Sequence, residues 1–128
     1  MSELVKHNQS AEDYLESILL LSGQSEEVHR INVAKALKVS GAAVNKAVKI
    51  LVEKGYVYED GKHLYLTEHG KAYAERIYEK HCILRDFLIT IGVSPACAEE
   101  DACHMEHVVS DETLQAMKTV CRKEKGEK

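Results

Sequence analysis

The sequence predicts a mainly α-helical chain in which an N-terminal winged helix-turn-helix is followed by an α-helical dimerisation domain. Two short amphipathic helices joined by a tight turn indicate the helix-turn-helix. Alternating runs on either side of Asp60-Gly61 predict a two-stranded hairpin, which in this position is a wing. Apolar residues then recur every three or four positions along one long helix, a pattern typical of packing against a partner helix. We place the domain boundary between residues 1–70 and 71–128.

Apolar spacing and capping residues define the N-terminal helices. Ser10 is a preferred N-cap residue for a first helix that runs to about Ser22. Ser40 caps the second helix of the helix-turn-helix, and Thr67 caps the long helix that follows the wing. The residues predicted to face the core are Ile31, Val33, Ala34 and Leu37 in one helix, and Val44, Ala47, Val48, Leu51 and Val52 in the next.

Charge is distributed unevenly along the chain. The net charge is −4, yet the segment from Arg30 to Lys54 carries six basic residues and one acidic residue, a net of +5. An ordinary helical hairpin is the alternative, but a basic recognition helix followed by a wing indicates binding to double-stranded DNA. The predicted base contacts are Ser40, Ala42, Ala43 and Lys46, the alanine methyl groups suiting thymine. The predicted phosphate contacts are Lys35, Lys49 and Lys62, the last at the tip of the wing.

An acidic region with no Lys or Arg extends from Asp86 to Glu112 and contains seven acidic residues. Within it, Cys103, Glu106 and His107 are spaced so that a helix would present all three on one face. A thiol, a carboxylate and an imidazole are ligands of divalent transition metals. A solvated acidic helix end is the alternative interpretation of this stretch.

Two more features of the sequence are unusual for their predicted positions. His81 lies on the apolar seam of the long helix, which comprises Ala74, Ile77, His81, Leu84, Leu88 and Ile91. Asp13, Glu16 and Leu20 form a second stripe on the first helix. Because an exposed acidic face rarely centres on a leucine, we expect this stripe to be covered. A hydrogen-bonded core histidine and a plain solvated face are the alternatives.

The pattern Asp13-x2-Glu16, His81 and Cys103-x2-Glu106-His107, with the segments around it, resembles that of the diphtheria toxin repressor family of metal-dependent transcriptional repressors. The matching segments include S-A-E-D-Y-L-E-S-I-L, E-K-H-C-I-L-R-D-F-L and A-C-H-M-E-H-V-V-S-D-E-T. The resemblance implies a homodimer that binds a divalent metal where its two domains meet, then binds operator DNA and represses metal-uptake genes. The ligands that it implies are Asp13, Glu16, His81, Cys103, Glu106 and His107.

The chain combines features of two branches of that family. Asp13 and Glu16 match the manganese branch, whereas Cys103 matches the iron branch. Where the ancillary site of the iron branch needs a Glu and a His, this sequence has Arg85 and Glu99. The chain also ends where the iron branch continues into an SH3-like domain. The architecture is therefore expected to be similar to that of the short manganese transport regulators.

The expected ion is Fe²⁺ or Mn²⁺, with Zn²⁺ or Co²⁺ able to bind in vitro, since carboxylates suit Mn²⁺ and a thiolate favours the others. The sequence leaves open whether each subunit binds one metal ion or two. Glu99 and His104 are possible additional ligands and rank below the six. We expect the metal to remove carboxylate repulsion and to set the spacing of the two recognition helices at about one DNA turn. Such coupling is typically worth about 1–3 kcal/mol.

Composition limits the alternatives. The sequence has no run of about 18 apolar residues and no signal peptide, so we expect a cytoplasmic protein without a membrane span. The four cysteines are then expected to be reduced. A redox regulator acting through Cys82 and Cys103 is possible, but it leaves Asp13, Glu16 and His81 unexplained. A helical metalloenzyme would need paired Glu-x-x-His helices, which this sequence lacks, so no enzymatic activity is predicted.

Overall fold

The structure is a computed structural model that describes residues 11–124. The described chain divides into two compact units after Glu75. The predicted mainly helical class with a wing is confirmed, whereas the domain boundary after residue 70 stays a prediction. Within residues 11–124, no helix combines the length and the apolar character needed to span a bilayer.

The helices and strands follow the predicted order. The N-terminal unit contains α1 (Ala11–Gln24), α2 (Arg30–Leu37), α3 (Gly41–Glu53), β1 (Val57–Asp60) and β2 (His63–Leu66). Helix α4 (Glu68–Thr90) begins in this unit and continues into the next, which also contains α5 (Pro95–Met105) and α6 (Asp111–Glu124). The predicted cap residue Ser10 lies outside the described residues.

The N-terminal core forms where α1 packs against α2, α3 and β2. Its fully buried side chains are Leu15, Ile18, Val33, Val44, Val48, Leu51, Val57 and Leu64. Each buried aliphatic side chain of this kind contributes about 1.5–3 kcal/mol. In the helices, the buried residues recur about every 3.6 positions and so form the inner faces that the sequence predicts.

Three predicted positions are wrong in detail. Ile31 is exposed, because it lies two residues from the buried Val33 and therefore on the opposite side of its helix. Leu20 is exposed although Glu16, one turn earlier on the same side of its helix, is buried. Val52 follows the buried Leu51 at the edge of α3 and is also exposed. The exposure of Leu20 contradicts the expectation that its stripe on α1 is fully covered.

The wing is an antiparallel pair in which Val57 lies opposite Leu66 and Asp60 lies opposite His63. The turn therefore consists of Gly61 and Lys62, one residue later than the predicted Asp60-Gly61 turn. Gly61 has a φ of +64°, which a residue with a side chain rarely adopts. Lys62 lies at the tip, as predicted.

A close-packed corner joins the wing to α4. Thr67 Oγ1 accepts a hydrogen bond from the Gly70 N–H at 2.9 Å and donates one to the Gly55 carbonyl oxygen at 2.7 Å. The backbone approaches Gly70 so closely that an added Cβ would lie 1.9 Å from the carbonyl oxygen of Tyr56. The predicted Thr67 cap is confirmed, and only glycine fits three residues after it.

The core of the C-terminal unit contains one buried residue from each of its three helices, Leu84, Ala102 and Leu114. Ile83, Met105, Val109 and Met117 pack around them. Ser110 Oγ caps α6 by accepting the Thr113 N–H at 3.2 Å. Of the predicted seam of α4, Ile91 lies beyond the end of the helix and is exposed.

Helix α5 ends earlier than predicted. Its last residue is Met105, and Glu106 is the C-cap residue, with its N–H donating to the Ala102 carbonyl oxygen at 3.0 Å. The chain turns there because Val109 must enter the core and Ser110 must cap the next helix. The prediction that Cys103, Glu106 and His107 lie on one continuous helix is therefore wrong at its C-terminal end.

Candidate functional site

His81 lies at the centre of a cluster of metal-ligand side chains within the C-terminal unit. Its Nδ1 atom lies 2.9 Å from Glu106 Oε1, and its Nε2 atom contacts the Glu99 carboxylate. Ligand atoms of His81, Glu99 and Cys103 all lie within 4.8 Å of one another. His81 and Glu106 are 2% and 1% exposed, whereas Cys103 and Glu99 are exposed. The cluster thus extends from the interior of the unit to its surface.

The imidazole of His81 is surrounded by groups that favour its charged form. Hydrogen bonds to Cys103 and Glu106, with a further one to Glu99, raise the pKa of His81 to about 11, although burial acts in the opposite direction. At neutral pH the metal-free ring is therefore an imidazolium. These contacts fit the alternative of a hydrogen-bonded core histidine, but two carboxylates and a thiol around one ring also form a set of metal ligands.

The second oxygen of Glu106 is the strongest indication that this cluster can bind a cation. Glu106 Oε2 is buried and accepts no hydrogen bond from the described residues, and His107 Nε2 lies 3.8 Å away. A buried, unsatisfied polar group costs about 1–3 kcal/mol, and more when it is charged. Buried charges are normally paired or coordinate metals. The imidazole, thiolate and carboxylate donors of this unit fit a divalent transition metal.

Glu99 has a larger part in the cluster than its position in the sequence indicated. It contacts His81 and lies 3.8 Å from Arg85 Nη1. The available signal was its spacing, because Glu99 precedes Cys103 by four residues and so shares its face of α5. His104, the other lower-ranked candidate, belongs to none of the ligand groups that residues 11–124 form.

The two remaining predicted ligands lie on α1 in the N-terminal unit. Glu16 is 8% exposed, which is rare for an isolated glutamate, and Asp13 is half-buried. Asp13 lies in the first turn, where the helix dipole stabilises a negative charge. The burial of Glu16 contradicts the alternative of a plain solvated face.

The predicted DNA-contacting residues lie on the outer surface of the N-terminal unit. Ser40 Oγ accepts the Ala43 N–H at 3.1 Å and so caps α3 as predicted. Ala43 is half-buried, and the other candidates are exposed, namely Ser40, Ala42, Lys46, Lys35, Lys49 and Lys62. Because Val44, Ala47, Val48 and Leu51 occupy the buried side of α3, the lysines of that helix point outward.

Comparisons with known proteins identify two matching family domains. Residues 6–64 match the N-terminal DNA-binding domain of iron-dependent repressors. Residues 67–125 match the metal-binding and dimerisation domain of the same proteins. The two matches together cover nearly all of the chain.

Individual relatives agree with these matches. An uncharacterized HTH-type transcriptional regulator of Methanocaldococcus jannaschii is 37% identical over 91% of this chain and 95% of its own length. The transcriptional regulator MntR of Escherichia coli O157:H7 is 36% identical over 88% of this chain and 73% of its own. The solved manganese regulator SloR is 30% identical with a TM-score of 0.80, covering 88% of this chain and 54% of its own. The chain thus spans about half the length of the solved SloR chain.

Proposed function

Since this chain belongs to the manganese branch of the diphtheria toxin repressor family of metal-dependent transcriptional regulators, we propose that it represses metal-uptake genes in response to Fe²⁺ or Mn²⁺. In this proposal the metal-bound homodimer binds operator DNA in the cytoplasm and carries out no catalysis. The observation that supports metal sensing most strongly is the buried Glu106 carboxylate, which contacts His81 through one oxygen and receives no hydrogen bond on the other from residues 11–124.

The proposed ligands are Asp13, Glu16, His81, Cys103, Glu106 and His107. The contacts within the C-terminal unit support the last four, and the family resemblance adds Asp13 and Glu16. A divalent ion bound here would neutralise the negative charge that these carboxylates and the thiolate bring together. His81 must release its ring proton to become a ligand, so metal and proton compete for the same nitrogen. Glu99 holds the ring from the exposed side in the metal-free chain.

The proposed preference for Fe²⁺ or Mn²⁺ follows from a mixed set of donors. Carboxylates and water are hard ligands that suit Mn²⁺, whereas the Cys103 thiolate favours Fe²⁺, Co²⁺ or Zn²⁺. The four cysteines are free thiols, so the thiol of Cys103 is available as a ligand.

Metal-dependent DNA binding is the direct test of the proposed function. DNA selected from a random pool with Mn²⁺ present serves as the probe, and its affinity for the chain is measured by fluorescence anisotropy. We expect Mn²⁺ or Fe²⁺ to raise this affinity about 5- to 150-fold and a chelator to reverse the gain. Binding that ignores the chelator but responds to peroxide would instead support the redox regulator.

Replacing Lys46 by alanine tests the proposed base contact. Lys46 is exposed on α3, and losing a specific base contact costs about 1–3 kcal/mol. We expect Lys46→Ala to weaken binding to the selected DNA about 5- to 150-fold at every metal concentration. Lys54→Ala, at the opposite end of the same helix, is the matched control and should have a smaller effect. A loss confined to low metal concentration would contradict the assignment.

A further inference from the structure

A second group of metal-ligand side chains lies in the N-terminal unit, where the wing meets the loop before α2. Glu27 and His29 belong to the loop, and His63 is the first residue of β2. Their ligand atoms all lie within 4.8 Å of one another. We propose that these three side chains bind a divalent transition-metal ion of the Zn²⁺ type and that this ion fastens the wing to the helix-turn-helix.

A backbone hydrogen bond positions the three side chains. The Leu64 N–H donates to the Val28 carbonyl oxygen at 2.8 Å, and the Val28 side chain is buried. This bond holds the loop alongside β2, so the neighbouring residues His29 and His63 lie next to each other. Their rings stack with centroids 4.9 Å apart and planes inclined by 21°. The two histidines are thus brought together by the fold, although 34 positions separate them in the sequence.

The carboxylate of Glu27 lies against both rings. Its Oε1 atom is 3.4 Å from His63 Nε2, and its Oε2 atom is 4.0 Å from His29 Nε2. Ligand atoms bound to one tetrahedral Zn²⁺ at about 2.0–2.1 Å are themselves about 3.3 Å apart. Binding one ion requires a rotation of the Glu27 side chain, which is 63% exposed, and a tilt of the two stacked rings so that their in-plane lone pairs converge.

The hydrogen bond of the His63 ring leaves the Nε2 atom of that ring available as a ligand. His63 Nδ1 lies 3.1 Å from Tyr65 Oη, so a neutral ring that donates its Nδ1–H to this oxygen keeps its Nε2 lone pair. His29 Nε2 is buried, and no described residue forms a hydrogen bond with it. The His29 backbone N–H donates to Asn32 Oδ1 at 2.8 Å, which holds this residue at the start of α2.

The chemistry of this group differs from that of the cluster around His81. Two imidazoles and one carboxylate leave a fourth tetrahedral position for water, an arrangement that Zn²⁺ and Co²⁺ accept. Manganese and magnesium prefer oxygen ligands and are expected to bind here weakly. An ion in this position would add a link between two segments that the Leu64 to Val28 hydrogen bond already joins.

The test uses the full chain carrying Glu106→Gln, which disables the proposed regulatory site, with Zn²⁺ alone as the probe. We expect Zn²⁺ to shift the ring nitrogen resonances of His29 and His63 and to slow exchange of the Leu64 amide proton at least tenfold. Adding His63→Gln should abolish both effects. Adding Glu27→Gln, an exposed substitution that does not threaten folding, should weaken Zn²⁺ binding at least tenfold.

Two matched controls separate this site from nonspecific binding. Glu26→Gln removes the neighbouring exposed carboxylate, and His69→Gln removes another histidine of the same unit, so both should leave Zn²⁺ binding unchanged. The proposal is overturned if Zn²⁺ leaves the His29 and His63 resonances unshifted, or if Glu27→Gln behaves like Glu26→Gln. A failure of the proposed regulatory function would appear separately, as DNA binding by the parent chain that does not respond to Mn²⁺ or Fe²⁺.

Discussion

Replacing Glu106 by glutamine is expected to abolish the metal-dependent gain in DNA affinity while the chain stays folded. Glutamine has nearly the same shape but cannot supply the negative charge that a divalent ion requires. Mutating a residue that only orients a metal ligand lowers metal affinity about 10- to 100-fold. Replacing Glu106, a proposed ligand itself, should therefore lower it on the order of 100-fold or more. Calorimetric titration with Mn²⁺, alongside DNA anisotropy with and without a chelator, measures both effects.

Two further variants make the Glu106 result specific. His81→Ala removes the imidazole from the centre of the cluster and should reproduce the loss of metal response. Glu100→Gln removes an exposed carboxylate on the same helix, outside the cluster, and should retain it. Circular dichroism verifies that each variant is folded. An unchanged metal response in both Glu106→Gln and His81→Ala would show that the ligands have been assigned to the wrong residues.

Substituting alanine for Gly70 is expected to destabilise the N-terminal unit by about 3 kcal/mol or more. The new Cβ would lie 1.9 Å from the Tyr56 carbonyl oxygen and 2.7 Å from its carbonyl carbon, and neither backbone atom can move aside without disturbing the wing. The same Tyr56 oxygen accepts the Thr67 N–H at 3.0 Å, so the corner would lose this hydrogen bond as well. Urea denaturation followed by circular dichroism measures the free energy of unfolding.

Gly23 provides the matched control for Gly70. It lies in the last turn of α1, and an added Cβ would meet no heavy atom within 4 Å. Because alanine has the higher helix propensity, Gly23→Ala should leave stability unchanged or raise it by up to about 1 kcal/mol. If the free energy of unfolding of Gly70→Ala differs from that of the parent chain by less than about 0.5 kcal/mol, the close approach of Tyr56 to α4 is wrong.

Much of the fold could be predicted from local signals in the sequence. Ser40, Thr67 and Ser110 each cap the predicted helix, because a hydroxyl that satisfies a free backbone N–H acts within three residues. The end of α5 could not be predicted in this way. It depends on Val109 entering a core formed with Leu84 and Leu114, which are distant in the sequence.

The candidate site shows the same division. The types of ligand were evident from the sequence, and His81 stood out as a polar residue in an apolar seam. Their contacts were not evident, since neither the contact between Glu99 and His81 nor the stacking of His29 on His63 follows from local spacing. Contacts of this kind depend on side-chain positions that only packing determines.

By itself, the sequence determined the order of the helices and strands, the basic character of the recognition helix and the kinds of atom available to a metal. Helix periodicity, capping and charge act over a few neighbouring residues, so they can be recognised without a structure. Only the tertiary structure decided that Glu106 is buried with one oxygen that receives no hydrogen bond from the described residues. The same holds for the Leu64 to Val28 hydrogen bond, which brings His29 and His63 together. Burial and long-range contacts arise from the packing of segments far apart in the chain, which local patterns do not encode.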